Sequence, residues 1–216
     1  MDPNRRTSNL FGKLARVGAL VLASASASAG PTTTVDLASA AIEPALTGKG
    51  PPGMWSVIDD ADAATGRALA QTSTDRTSYR FPLAITNLPA LRDLVVTMRF
   101  KPVSGSVDQA GGIAIRLQDA NNYYVLRANA LENNVRFYRV VNGDRRQIAG
   151  INISVAPGVW HSLTLRAEGD RFTVLMDGAP LFTATDRTFS GAGRTALWTK
   201  ADSITHFDQL IVETLP

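Results

Sequence analysis

Between Gly111 and Gly178 the chain reads GGIAIRLQ, NNYYVLRANA, NNVRFYRVVNG, WHSLTLRAEGD and RFTVLMDGAP. Apolar and polar residues alternate with a period of two. Gly, Asn and Asp interrupt the pattern at roughly the 8–12-residue spacing of an all-β sandwich or barrel. Asn142-Gly143 falls between VRFYRVV and RRQIA, and Asp177-Gly178 between RFTVLM and PLFTAT. Both dipeptides supply the positive-φ residues that a tight primed hairpin turn requires. This run of short strands leaves little room for any other fold class.

The pattern continues on both sides. MWSVID, ALAQTS, YRFPLAI and LRDLVVTMRFKPV precede it, and TALWTKA and HFDQLIVE follow it. In LVVTMRFKPV, Leu94, Val96, Met98 and Phe100 alternate with Val95, Thr97, Arg99 and Lys101, as in a half-buried strand. About a dozen strands and no amphipathic helix imply two antiparallel sheets packed face to face, an all-β sandwich. Loops or turns are expected over Leu117 to Asn122 and Ala128 to Asn134. Residues 30–52, with Pro31, Pro44, Gly48, Gly50, Pro51 and Pro52, read as an extended lead-in with one edge strand around Thr33 to Leu37. The sandwich domain is placed at 53–216.

Residues 1–29 read as a secretory signal peptide. Arg5, Arg6, Lys13 and Arg16 are followed by an apolar run from Val17 to Ala23 and an alternating Ala-Ser tract to Ala29. Cleavage after Ala27 or Ala29 would direct the mature protein to the periplasm or the exterior. The leader carries four basic groups against Asp2, and the whole chain is formally +3, so the mature part is close to neutral. The high isoelectric point therefore says little about nucleic acid, and none is expected as a partner. No later stretch is long and apolar enough for stable membrane insertion. Without cysteine, stability must come from the core, for which about 180 residues suffice; a lipoprotein anchor is also excluded. A monomer is expected.

The run PGVWHSLTLRAEGDRFTVLMDGAPLF resembles the paired strands of concanavalin A-like lectin/glucanase sandwiches and laminin G-like modules. There a Gly-x-Trp-His/Thr-x-Leu strand precedes a Gly-Asp-x-Phe-x-Val…Asp-Gly hairpin. GGIAIRLQDANNYYVLRANALENNVRFYRVVNG and GAGRTALWTKADSITHFDQLIV resemble a bacterial exported branch of that superfamily, similar to the 3-keto-disaccharide hydrolase domain. The resemblance covers Met54 to Val212. It implies a concanavalin A-like jelly roll, with carbohydrate as the ligand class. It also implies a structural calcium ion as the one conceivable cofactor, with Asp208 nominated first and Asp119 and Asp202 behind it. An aspartate that caps a turn is the favoured reading of each, so no cofactor is expected beyond such an ion. Retaining glucanases of this fold carry Glu-x-Asp-x-(x)-Glu on one strand, because two carboxyls must flank the bond about 5 Å apart. Glu43, Glu132, Glu168 and Glu213 do not start such a motif.

Alternation places a candidate site on one outer sheet face. With Ile113, Ile115 and Leu117 inward, Arg116 and Gln118 point out. With Tyr124, Leu126 and Ala128 inward, Tyr123, Arg127 and Asn129 point out. Arg136 and Tyr138, then Trp198 and Lys200, can join them, with Glu132, Asn133 and Asn134 in the adjoining loop. Arg, Asn and Glu suit sugar hydroxyls, and Tyr and Trp stack on pyranose faces. In the plainer alternative, Arg127 and Glu132 simply pair and Trp198 is core. Trp55 and Trp160 are assigned to packing, and His161 to a structural role. Three functions stay open: a lectin-like binding module, a keto-sugar hydrolase or lyase, and a protein-binding structural module. In the enzyme, Glu132 or Asp202 would be the acid/base, with Arg127 and Lys200 facing an enolate-like oxygen. A one-residue slip in NNVRFYRVV would reverse part of the site.

Overall fold

The computed structural model describes residues 30–216; the expected signal peptide lies outside the described residues. These form fifteen strands and no helix. One sheet has eight strands, in the order β13 (Ala179–Thr185), β12 (Arg171–Met176), β11 (His161–Glu168), β6 (Leu94–Ser104), β15 (Ile204–Thr214), β4 (Arg67–Gln71) and β3 (Trp55–Asp59), with β1 (Thr32–Asp36) also paired to β15. The other has seven, in the order β10 (Asp144–Asn152), β9 (Asn134–Val141), β8 (Asn122–Asn129), β7 (Ala110–Asp119), β14 (Arg194–Thr199), β5 (Arg80–Thr86) and β2 (Ile42–Gly48). The lead-in segment thus contributes β1 to one sheet and β2 to the other.

The inner faces carry the core. Leu94, Val96, Met98 and Phe100 of β6 meet Leu163, Leu165, Phe172 and Val174 of their own sheet, and Ile113, Ile115, Leu126 and Phe137 of the other. Phe137 and Phe172 pack at 4.8 Å between ring centroids, and Tyr124 joins them at 5.6 and 4.9 Å. Each such ring contributes roughly 1.5–3 kcal/mol by leaving water. The ambiguous register of β9 resolves with Val135 and Phe137 inward and Tyr138 and Val140 outward, yet Tyr138 and Val140 are buried too.

Both expected hairpins form. Asn142 and Gly143 have φ of 51° and 81°, and Asp177 and Gly178 have 51° and 78°, the left-handed pair of a type I′ turn. The expected loops are shorter than the sequence suggests, because β7 runs to Asp119 and β8 to Asn129.

One expectation fails for a definable reason. Arg116 adopts φ 47° at a register irregularity between Ile115 and Asp119. This bulge reverses the alternation beyond it. Arg116 is therefore buried rather than outward, with its guanidinium 5.3 Å from the Phe172 ring. It donates to the carbonyls of Arg92, Gly169 and Phe189 and plugs one end of the core. Leu117, expected in the core between the sheets, packs on the outer face instead.

Gly193 lies against this bulge, where a Cβ would sit 2.3 Å from the Arg116 carbonyl carbon. Gly193→Ala is expected to cost about 1–3 kcal/mol in urea unfolding. Gly191→Ala, with nothing within 4 Å, should leave the midpoint unchanged.

Candidate functional site

The outer face of the seven-stranded sheet is closed over itself. Cross-strand register puts Arg136, Arg127, Gly112, Trp198, Leu83 and Ala45 in one row, and Tyr138, Val125, Ala114, Ala196 and Ile85 in the next. The small residues of β7 and β14 leave a trough, which Trp198, Tyr123 and Phe81 fill as a second apolar cluster. Opposite corners of the sheet then meet. Thr47 of β2 shares a 2.8 Å hydrogen bond with the Tyr123 hydroxyl and donates to the Ala120 carbonyl. The Trp198 Nε1–H donates to the same tyrosine at 3.3 Å. Tyr79 donates to the Gly143 carbonyl at 2.9 Å and accepts from the Arg145 N–H at 3.0 Å.

A polar cluster continues the same face. Arg127 donates to Glu132 Oε2 at 2.7 Å, to Asn134 Oδ1 at 2.5 Å and to the Tyr138 hydroxyl at 3.2 Å. Asn129 accepts the Leu131 and Glu132 N–H groups at 2.9 and 3.1 Å, which shapes the β8–β9 turn and sets Glu132. Its amide donates to Asp108, which also pairs with Lys200. Arg127, Asn129, Asn134 and Asp108 are buried, while Glu132 and Arg136 reach solvent. Burial pushes the Asp108 carboxyl above its ordinary value despite Lys200. Burial acts on Glu132 in the same sense, but Arg127 and Asn134 outweigh it and hold that carboxyl low.

Of the residues picked from sequence, Arg127, Asn129, Glu132, Asn134 and Lys200 come together here, and Arg136 lies beside them, donating to Asn152. Tyr123 and Trp198 lie on the expected face, but at 0 % exposure neither offers a stacking platform. Gln118 is exposed and bonds the Arg116 and Ala192 carbonyls, at the bulged end of β7 with Arg116. Asp108 and Arg145 were missed. Asp108 sits in a loop with no periodic signal. Arg145 was legible, because a two-residue turn at 142–143 pairs it with Val140 and so puts it on this face.

The remaining nominated carboxylates have structural partners. Asp202 accepts from the N–H groups of Ser106, Val107 and Asp108 and from the Ser106 hydroxyl, at 2.8–3.0 Å. It holds the loop that delivers Asp108, which leaves it poorly placed as an acid/base. Asp208 accepts from the Ala64 N–H at 2.8 Å and pairs with Arg99 at 2.9 Å. Asp119 accepts from Asn121 and Asn122. Among the described residues no three acidic or histidine side chains are grouped to share an ion, and the Asp208 Oδ1 atom is buried without a hydrogen-bond partner. His161 bonds Asp177 and the Ala156 carbonyl, Trp55 packs on Phe207, and Trp160 lies under Arg99 and Lys101.

No protein-family model and no curated protein sequence matches the chain. Solved structures do. Carbohydrate-binding module CBM66 from Bacillus subtilis superposes with a TM-score of 0.60 at 23% identity, over 72% of this chain and 88% of that one. Domain 4 of AbnA, a GH43 extracellular arabinanase from Geobacillus stearothermophilus, solved with arabinotriose, gives 0.52 at 15% identity, over 80% and 82%. Bacillus licheniformis β-glucanase gives 0.50 at 14% identity, over 80% and 98%. These are likenesses of fold, and the fold is the jelly-roll sandwich of lectins and glucanases.

The Asp202 carboxyl is held below its ordinary value of 3.8: burial alone would raise it, and the Ser106, Val107 and Asp108 donors more than offset that. Its stabilisation is complete above 3.8 and is lost as pH falls through the lower folded value. Asp202→Asn should cost about 1.5–3 kcal/mol at pH 7 and flatten the acid limb of stability against pH.

Proposed function

We propose that this chain is an exported carbohydrate-binding module that takes its glycan on the outer face of the seven-stranded sheet. The observation that carries this is the Arg127 cluster. Strands β8, β9 and β14 and two loops converge to place Arg127, Glu132, Asn134, Asn129, Asp108 and Lys200 on one face. Their mutual bonds fix the geometry in advance, which lowers the cost of ordering on binding. Glu132 and Arg136 remain open at the rim, where charged groups bind sugar hydroxyls with charge-assisted hydrogen bonds. With Trp198 and Tyr123 buried, recognition rests on these polar groups rather than on ring stacking. The fold neighbours, which include a carbohydrate-binding module and an arabinanase domain holding arabinotriose, agree with this class of ligand.

A second reading, an enzyme of the keto-sugar hydrolase or lyase type, draws on Asp108 and Glu132, whose carboxyls are shifted in opposite directions as in an acid/base pair. Burial weakens it. The Asp108 oxygens face Asn129 and Lys200 inside the protein, so Glu132 alone could meet a substrate.

Calorimetry across plant and bacterial oligosaccharides should find a ligand whose affinity falls roughly tenfold in Glu132→Gln, the loss of one charged hydrogen bond. Silence across the whole panel would remove the binding reading. Turnover of a 3-keto-glycoside that disappears in Glu132→Gln would move the assignment to an enzyme.

A further inference from the structure

Arg145 is the charged group on this face that the cluster does not use. It stands one residue beyond the Asn142-Gly143 turn, opposite Val140. Its guanidinium carbon lies 4.4 Å from the Tyr138 ring centre, 4.6 Å from Phe81 and 5.6 Å from Trp198. Three rings hold the cation in place, yet its side chain donates no hydrogen bond among the described residues, and Nη1 is buried without a partner. Apart from Arg136, which donates to the neutral Asn152 amide, the neighbouring charges are matched. Asp144 pairs with Arg146 at 2.9 Å, Glu132 with Arg127 at 2.7 Å, and Asp108 with Lys200.

Tyr138 connects Arg145 to the proposed site, because Arg127 approaches the same ring at 5.8 Å. The face therefore presents Arg127, Arg136, Arg145 and Lys200 against Glu132 and Asp108, an excess of positive charge in a protein that is near neutral without its leader. A largely desolvated guanidinium with unspent donors is costly to keep. A carboxylate is its natural complement, since the planar guanidinium can donate to both of its oxygens at once. A neutral sugar would leave this charge unanswered.

Building on the carbohydrate-binding reading, we infer that the ligand is an acidic sugar whose carboxylate is bound by Arg145. Uronic acid units of a plant or bacterial polysaccharide have the required chemistry: hydroxyls for Glu132 and Arg136, and a C6 carboxylate for the guanidinium. Arg145 then acts as the residue that selects acidic over neutral glycans.

The test is calorimetry with matched pairs: oligogalacturonate, oligoguluronate and glucuronoxylan fragments, each beside its carboxyl-reduced counterpart. The acidic member of at least one pair should bind roughly tenfold or more tightly, with an affinity that falls as salt rises, while its reduced counterpart is little affected by salt. Arg145→Gln should erase the difference within the pair and leave the reduced sugar's affinity unchanged. The salt series on the unaltered protein gives the same answer if that variant folds poorly. Equal or tighter binding of the reduced sugars would overturn this inference and leave the carbohydrate-binding reading standing. Binding of neither member of any pair, nor of other glycans, would remove that reading and this inference with it.

Discussion

The closure of the seven-stranded sheet over its own outer face is the constraint on which the rest of this structure depends. In an ordinary sandwich that face is solvated and the core lies only between the sheets. Here Thr47, Tyr123 and Trp198 join strands β2, β8 and β14 across the trough, and a second apolar cluster forms beneath them. Gly112, Ala114 and Ala196 make this possible by leaving room under the larger rings. A Cβ on Gly112 would sit 2.7 Å from the Leu126 carbonyl oxygen, so this position of the strand has no space for a side chain.

That closure sets the electrostatics of the candidate site. Beside a dry aromatic floor, the Arg127–Glu132 and Asp108–Lys200 pairs interact more strongly than they would in water, but each buried charge also carries a desolvation cost. The cost is visible in the upward shift of Asp108. The arrangement is rigid, with the β8–β9 turn fixed by Asn129 and the Asp108 loop fixed by Asp202. A site built this way is set in advance for a ligand of fixed shape.

Much of the architecture was legible in the chain. The period-two alternation assigned Ile113, Ile115, Tyr124, Leu126 and Ala128 to the core, and the Asn-Gly and Asp-Gly pairs located two hairpins, because both signals are local. The errors were non-local or broke the period. The bulge at Arg116 requires a positive φ that no glycine announces, so Arg116 and Leu117 were assigned to the wrong faces. Trp198 and Tyr123 were placed on the right face but expected to be open. Whether that face is wet depends on coiling of the sheet, through contacts such as Thr47 with Tyr123, separated by 76 residues. Asp108 and Asp202 are united by a loop whose conformation no spacing rule reveals.

Backbone amide shifts followed by NMR, during titration with a bound oligosaccharide, test the central claim most directly. Changes should concentrate in residues 127–136, 145–147 and 198–200, around the Arg127 cluster. Changes centred instead on the outer face of the eight-stranded sheet, or at the edge pocket of about 360 Å³ lined by Arg92, Asp170, Asp186 and Arg187, would contradict it.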